Sequence, residues 1–124
     1  MRIRFKPWAR PELEASKFYI DNPEDYKGKW RSLYDNSNTQ LHLELGCGKG
    51  GFISKLASKN LDINYIAIDV VDAMLGLAKR NIEEEYLKNN LEINNVYLTR
   101  FDIERILMIM DDNDKIDRIR KQIN

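Results

Sequence analysis

An acidic residue stands two positions before a run of glycines in the middle of the chain, where the sequence reads ELGCGKGG from Glu44 to Gly51. Glycine lets the backbone turn tightly and lets a ligand come close to the main chain. A carboxylate at Glu44 repels a phosphate group and attracts a positively charged one. The run therefore predicts a ligand site whose chemistry depends on Glu44.

Two further acids, Asp69 and Asp102, follow stretches that resemble buried strands. Asp69 stands about twenty residues beyond the glycines, the distance at which an acid holds ribose hydroxyls in nucleotide-binding sheets. Asp102 is placed to accept a hydrogen bond from an adenine amino group. A simpler interpretation stays open for all three acids. Glu44 would then be a surface residue of a strand, and the two aspartates would be loop or N-cap residues of the helices that follow.

The elements that must position these acids follow from the spacing of apolar residues. Four stretches have the alternation or the apolar run of a strand: 41–45, 63–68, 96–99 and the opening of a fourth strand at 115–119. Three stretches have helical spacing: 52–57, 71–86 and 103–110. Strands that alternate with helices in this way predict an α/β fold, a parallel sheet with flanking helices.

Three ligands compete for the glycine run. A P-loop nucleotide site needs Gly at position 43 and Ser or Thr at position 50, but the chain has Leu43 and Gly50, so that interpretation fails. A dinucleotide site needs G-x-G-x-x-G, which Gly46, Gly48 and Gly51 supply. S-adenosylmethionine (SAM) carries an ammonium and a sulfonium group, which suit the acid before the glycines. SAM is therefore favoured, and a dinucleotide stays open.

Charge and aromatic residues bear on nucleic-acid binding. Twenty basic residues balance twenty acidic ones, so any hold on nucleic acid needs a local patch. Basic and aromatic residues alternate at 2–10, and again where Lys27, Lys29 and Arg31 surround Trp30. These basic side chains either hold phosphates or form a flap whose aromatic residues cover the core. Trp30 is predicted to belong to the core.

The cysteine content and the length of the apolar runs bear on the cellular compartment. The single cysteine, Cys47, excludes an internal disulfide and is predicted to be a small buried residue; the single histidine, His42, is predicted to be structural or solvated. The apolar runs are too short to span a membrane, and no signal peptide is recognisable. We expect a cytoplasmic protein without a membrane segment and without a metal site.

Four runs match a known family in order and spacing: KPWA at 6–9, NP at 22–23 with YKGKW at 26–30, HLELGCGKG at 42–50, and DINYIAID at 62–69. With these runs the chain resembles the bacterial tRNA (guanine-N7-)-methyltransferase family. The resemblance implies a partial SAM-binding, Rossmann-like methyltransferase domain over residues 40–124. A basic and aromatic N-terminal segment, residues 1–39, precedes it.

That family transfers the SAM methyl group to N7 of a guanine in the tRNA variable loop. The resemblance therefore implies that SAM is the cofactor and tRNA the partner. The implied cofactor contacts are Glu44, Gly46, Gly48, Asp69 and Asp102. The candidate tRNA contacts are Lys27, Lys29 and Arg31.

The resemblance ends near Ile119. The family continues this strand into an Asn-Phe-Ser-Asp-Pro-Trp-Pro-Lys type motif that holds its proposed catalytic Asp, whereas this chain continues with the polar run RKQIN at 120–124. We therefore expect a C-terminally truncated fold without methyltransferase activity, with its catalytic residues beyond residue 124. We also expect a central strand with an unpaired edge, through which the chain self-associates. Two other functions stay open: a non-catalytic remnant or interaction module, and a fragment of a dinucleotide-binding oxidoreductase.

Overall fold

A computed structural model describes residues 4–121; Arg2, the first basic residue of the early run, lies outside the described residues. The described chain contains one five-stranded sheet, with β1 (Tyr19–Ile20), β2 (Leu41–Leu45), β3 (Asn64–Asp69), β4 (Val96–Arg100) and β5 (Arg118–Lys121). The spatial order is β1-β4-β3-β2-β5, and all neighbouring strands are parallel. The predicted α/β fold with a parallel sheet is confirmed.

Three α-helices accompany the sheet: α1 (Ala9–Glu14), α2 (Gly51–Lys59) and α3 (Asp72–Lys88). Helices α2 and α3 connect β2 to β3 and β3 to β4, because parallel neighbours need a crossover between them. Their apolar stripes pack on one face of the sheet, where Ile53, Leu75 and Ile82 form a buried cluster with Leu98 of β4. Both predicted crossover helices are therefore confirmed.

The other face of the sheet is covered by the N-terminal segment and by the residues after β4. Successive residues of a strand point to opposite faces, so Ile66 and Ile68 of β3 turn away from α2 and α3. They pack in a second cluster with Trp30 and Ile109. Trp30 is fully buried, and its indole N–H donates to the carbonyl of Ile109 at 2.7 Å. The prediction that Trp30 belongs to the core is confirmed.

The segment before β2 is more regular than its prolines predict. Helix α1 begins at Ala9, two residues before Pro11, and the short strand β1 pairs in parallel with β4. Two 3₁₀ helices follow, at Pro23–Tyr26 and Trp30–Leu33. The N-terminal segment therefore contains one helix, one strand and two 3₁₀ helices among its described residues, while the division of the chain at residue 40 stays a prediction.

Side-chain contacts on α3 explain why α1 forms where it does. The Arg80 guanidinium donates to both carboxylate oxygens of Glu12, at 2.9 and 2.8 Å, and lies 3.5 Å from the ring centroid of Trp8. Gly76 lets the two helices approach, because a Cβ atom there would lie 2.9 Å from the Cβ of Ala9. Helix α1 is thus held by contacts with a distant part of the chain.

The third predicted helix, over 103–110, is wrong. Residues Ile103–Met108 form a 3₁₀ segment, and its backbone leaves helical geometry at Arg105 (φ −109°, ψ 24°). Leu107 of the apolar stripe is 75% exposed, and its neighbour Met108 is 47% exposed. An α-helix gains most of its stability from a packed apolar face, and this segment buries too little to form one.

The fourth predicted strand begins later than expected and pairs more completely. Strand β5 pairs with β2 over four residues, from His42 opposite Arg118 to Leu45 opposite Lys121. The central strand β2 therefore lies between β3 and β5, and the expectation that its edge is unpaired is wrong. Among the described residues the outer strand on this side is β5, and self-association through its edge stays a prediction.

No helix within residues 4–121 is both long enough and apolar enough to span a membrane.

Candidate functional site at the carboxyl edge of the sheet

The glycine loop, residues 46–51, joins the carboxyl end of β2 to α2. Gly46, Gly48 and Gly50 have φ values of 74°, 57° and 78°, a left-handed backbone that glycine adopts without strain. The N–H groups of Gly46 and Cys47 both donate to the carbonyl of Ile68, at 2.8 and 3.0 Å. These bonds hold the loop against the end of β3.

Gly48 and Gly50 serve different purposes in this loop. A Cβ atom at Gly50 would lie 2.7 Å from the Cβ and 2.8 Å from the Cα of Ala78, so this glycine lets the start of α2 approach α3. A Cβ atom at Gly48 would meet no atom within 4 Å. The backbone of Gly48 therefore faces open space, as the approach of a ligand to the main chain requires.

Asp69 ends β3 and joins it to the glycine loop. Its Oδ2 accepts a hydrogen bond from the N–H of Gly48 at 2.9 Å, and its Oδ1 accepts one from the N–H of Val71 at 3.0 Å. Asp69 thus has the structural role that the simpler interpretation left open. An ionised carboxylate has acceptor sites for about four hydrogen bonds, so capacity for ligand hydroxyls remains.

Asp102 lies after β4, is exposed and begins the 3₁₀ segment. Its Oδ1 accepts a hydrogen bond from the N–H of Glu104 at 3.0 Å, as an N-cap side chain does. Only one of its acceptor sites is needed for this bond. The N-cap interpretation is confirmed for Asp102, and a contact with a ligand stays a prediction.

The topology brings these acids to one edge. Strands β2, β3 and β4 are neighbours and run in the same direction, so Glu44, Asp69 and Asp102 follow one another along the carboxyl edge beside the glycine loop. Neighbouring strands are roughly 4.8 Å apart, which puts the three positions within the span of one nucleoside-sized ligand. Ligands of open α/β sheets bind at this edge.

Glu44 is deeply buried, at 1% exposed, so the interpretation as a surface residue is wrong. It lies directly opposite Arg120 in the pairing of β2 with β5, and Arg120 Nη1 is 3.8 Å from Glu44 Oε2. Arg120 Nη2 contacts Nδ1 of His42 at 3.0 Å, and Nε2 of His42 contacts Oε1 of Gln40 at 2.7 Å. The acid before the glycines therefore has a protein cation beside it.

Arg120 is the site residue that sequence reasoning missed. It falls in a polar run, and nothing local to that run indicates that it pairs with β2. Only the register of two strands distant in sequence sets Arg120 opposite Glu44. His42, by contrast, has the structural role that was predicted for it, because it is buried between Gln40 and Arg120.

Cys47 lies in the glycine loop but is not arranged for nucleophilic chemistry. It is buried, and burial raises the pKa of its thiol far above the usual range, with Asp69 and Glu44 adding to the effect. A thiol with a raised pKa stays protonated at neutral pH and is a poor nucleophile. The prediction of a small buried residue is confirmed.

Arg31 makes extensive structural contacts. Its guanidinium donates to four carbonyl oxygens and one carboxylate, those of Ser37, Thr39, Asp114, Lys115 and Asp117. These five contacts match the five N–H donors of arginine. Because Asp117 Oδ2 also accepts from the N–H of Leu41, Arg31 lies at the amino end of β2. That end is roughly 13 Å from the carboxyl end of a five-residue strand.

Lys27 and Lys29 are exposed and flank Gly28. The N–H of Gly28 donates to Oδ2 of the buried Asp114 at 2.9 Å, so the backbone between the two lysines is fixed. The structure therefore leaves Lys27 and Lys29 open to solvent, and it favours the structural interpretation for Arg31. Contacts of these residues with tRNA stay a prediction.

A cavity of about 620 Å³ opens between α1 and the second half of α3, away from the three acids. Its lining mixes apolar Phe18 and Tyr86 with charged residues such as Lys79 and Glu83. Lys79 forms ion pairs with Glu83 and Glu12, at 2.8 and 3.3 Å, which satisfy its charge. We place the candidate site at the carboxyl edge because the glycine loop and the acids meet there.

Within residues 4–121, no group of three or more His, Cys, Asp or Glu side chains is arranged to hold a metal ion.

A parallel sheet, a glycine loop after a central strand, and acids that end three neighbouring strands define a Rossmann-like α/β domain. The sequence of residues 38–122 matches the family described as "Putative methyltransferase". The chain belongs to this family of methyltransferases.

Individual relatives agree with the family. The chain is 56% identical over 120 residues to a tRNA (guanine-N(7)-)-methyltransferase of Ruminiclostridium cellulolyticum. The alignment covers 96% of this chain and 50% of that protein. It is 55% identical over 119 residues to a protein of the same name from Clostridium botulinum. That alignment covers 96% of this chain and 54% of the Clostridium botulinum protein. The chain thus spans about half the length of these curated relatives. A solved structure of an antibiotic-related methyltransferase is 25% identical with a TM-score of 0.47, over 68% of this chain and 40% of that one.

Proposed function

We propose that the glycine loop and the acids at the carboxyl edge of the sheet bind SAM and take part in the methylation of guanine N7 in tRNA. Membership in a methyltransferase family and identities of 55–56% to proteins named tRNA (guanine-N(7)-)-methyltransferase support the reaction. One structural observation supports the site above others. The acid that ends β3 holds the N–H of Gly48 at 2.9 Å, and the backbone of this glycine faces open space.

The chemistry of the donor set fits the adenosine part of SAM. Asp69 retains acceptor sites for the two ribose hydroxyls, and exposed Asp102 for the adenine amino group. The open backbone of Gly48 lets the ligand lie against the main chain. Glu44 suits the ammonium group by charge, although Arg120 already lies 3.8 Å from its carboxylate.

The chemical demand on the protein is modest. SAM supplies a methyl group on a positively charged sulfur, which needs no further activation. Guanine N7 carries a lone pair and no proton, so a strong general base is unnecessary. The residues described here would contribute mainly by orientation: Asp69 and the glycine loop fix where the adenosine lies, and alignment of the reacting atoms can supply much of the rate.

Lys27 and Lys29 are our candidates for contact with tRNA. They are exposed, and the fixed backbone at Gly28 holds them together. With equal numbers of basic and acidic residues in the chain, such a local pair matters more than the net charge. Arg31 uses its five N–H donors within the protein, so it would contribute by holding the backbone near the two lysines and not by contacting tRNA itself.

A chimaera tests the proposed function. This chain replaces the matching half of the Ruminiclostridium cellulolyticum relative, and methylation of unmodified tRNA is measured as N7-methylguanine by mass spectrometry. We expect methylation by the chimaera and its loss on Asp69→Ala, with Asp62→Ala as the control. Asp62 is exposed near the start of the strand that Asp69 ends. A folded chimaera that binds tRNA but forms no N7-methylguanine would contradict the proposal and favour a non-catalytic interaction module.

A further inference from the structure

The Glu44–Arg120 pair lies where the carboxylate of Glu44 would attract the ammonium group of SAM. The two residues face each other across β2 and β5, and both side chains are largely buried, at 1% and 17% exposed. At this separation the positive charge of Arg120 offsets part of the attraction that Glu44 exerts on a third charge nearby. An ammonium group that reaches this end of β2 therefore meets an ion pair without net charge instead of a carboxylate alone.

Arg120 is held in place by more than the carboxylate. Its Nη2 contacts the imidazole of His42 at 3.0 Å, and its guanidinium carbon lies 6.0 Å from the ring centroid of Phe52 on α2. Both Nη atoms are directed toward β2, onto Glu44 and His42. Separating a buried ion pair leaves an uncompensated charge, which is strongly unfavourable. A ligand ammonium would have to overcome this cost to displace Arg120.

The adenosine side of the site has no such competitor among residues 4–121. Within this part of the chain, Asp69 accepts from two backbone N–H groups, those of Gly48 and Val71, and it keeps sites for hydroxyls. No cation contacts Gly48 on its open side among the described residues, since nothing lies within 4 Å of a Cβ atom built there. The two halves of the site therefore differ: the nucleoside half is open, and the amino-acid half is internally neutralised.

We infer that Arg120 is a specificity-determining residue that acts as the internal counter-ion of Glu44, so that the site selects its ligand by the adenosine part. This inference rests on the proposed SAM site and goes beyond it. The chain then binds adenosines with a sulfur substituent at the 5′ position as a class, and the amino-acid group of SAM adds little affinity. Replacing Arg120 with an uncharged residue removes this counter-ion, so that Glu44 attracts the ammonium group more strongly.

Calorimetry on the whole chain tests this, with SAM and 5′-methylthioadenosine as the two probes. 5′-Methylthioadenosine lacks both the amino-acid group and the positive charge on sulfur. For the natural chain we expect dissociation constants within about threefold of each other. For Arg120→Met we expect SAM to bind about tenfold more tightly than 5′-methylthioadenosine, because a charge-assisted contact becomes available. Arg118→Met, an exposed arginine on the same strand, is the matched control and should keep the natural ratio.

The possible outcomes separate the inference from the function on which it rests. A natural chain that already prefers SAM by tenfold or more overturns the inference, even if Arg120→Met fails to fold. The inference is also overturned if the ratio of the two dissociation constants, for SAM and for 5′-methylthioadenosine, is the same in Arg120→Met and Arg118→Met. That outcome leaves the SAM site intact. If neither probe binds the natural chain, the proposed SAM site itself is contradicted, and the inference with it.

Discussion

Asp69 accepts a hydrogen bond from the backbone N–H of Gly48 at 2.9 Å, so the acid that ends β3 also fixes the loop that follows β2. This contact ties a proposed cofactor residue to the folding of its own site. The same carboxylate accepts a second bond from the N–H of Val71, where α3 begins. One side chain thus connects two successive strand-to-helix turns.

The first prediction concerns the stability that Asp69 provides. Asp69→Ala removes the acceptors for two backbone N–H groups and should lower the free energy of unfolding by about 1–3 kcal/mol. Asp102→Ala, which removes one exposed cap, should cost no more than about 1 kcal/mol. Urea denaturation followed by circular dichroism measures both. Equal losses for the two variants would contradict the anchoring role of Asp69.

The second prediction compares two glycines that share a positive φ. Gly50→Ala should lower the free energy of unfolding by about 3 kcal/mol or more, because its Cβ overlaps Ala78 in addition to straining the backbone. Gly48→Ala meets open space and should cost only the backbone strain, about 1–2 kcal/mol. Thermal denaturation of both variants shows which of the two is less stable. A Gly48→Ala variant less stable than Gly50→Ala would show that the loop is packed differently.

The third prediction uses the only histidine of the chain as a probe of Arg120. Burial lowers the pKa of His42, and Arg120 lowers it further by charge repulsion. His42 then takes up a proton more readily in the unfolded chain than in the folded chain. The free energy of unfolding should therefore fall as the pH drops below about 6.5. Titration by NMR should give a His42 pKa below that of a free histidine.

Removing the neighbouring charge gives this prediction its control. Arg120→Met should raise the pKa of His42, whereas Lys121→Met, an exposed change one residue later, should leave it nearly unchanged. A His42 pKa that stays the same in Arg120→Met would mean that the contact between His42 and Arg120 is absent in solution.

The fourth prediction concerns tRNA. A double variant, Lys27→Gln with Lys29→Gln, should bind tRNA with a shallower dependence of log affinity on log salt, by about 1.5–2 in slope, since each lysine neutralises one phosphate. Lys55→Gln with Lys59→Gln removes two exposed lysines of α2 and is the matched control. Filter binding at several salt concentrations provides the slopes. The same slope for both double variants would remove Lys27 and Lys29 from the proposed interface.

Local pattern was sufficient for the centre of the fold. Residues 41–45 and 63–68 predict β2 and β3 because both strands are apolar enough to be buried, and the helical stripe at 71–86 predicts α3 because one face packs on the sheet. The glycine loop was predictable because positive φ values at a strand-to-helix turn favour glycine over other residues. The neighbouring positions of the three acids then follow from parallel order alone.

Long-range contacts explain what the sequence did not reveal. Strand β1 has only two residues, too few for a pattern, and it exists because β4 offers it a partner. The cationic partner of Glu44, Arg120, depends on the register of β5, which the polar residues of that strand do not indicate. Arg31 resembles a phosphate-binding residue in sequence, but its five donors are used by backbone and carboxylate groups that the fold brings to it.

Binding of SAM to the natural chain, measured by calorimetry beside Asp69→Ala, tests the central claim most directly. We predict measurable binding to the natural chain, and a loss of about tenfold or more in Asp69→Ala, because hydrogen bonds from the ribose hydroxyls to a charged acceptor are removed. Asp62→Ala should bind as the natural chain does. Unchanged SAM affinity in a folded Asp69→Ala variant, or tighter binding of NAD than of SAM by the natural chain, would contradict a SAM site at the carboxyl edge of this sheet.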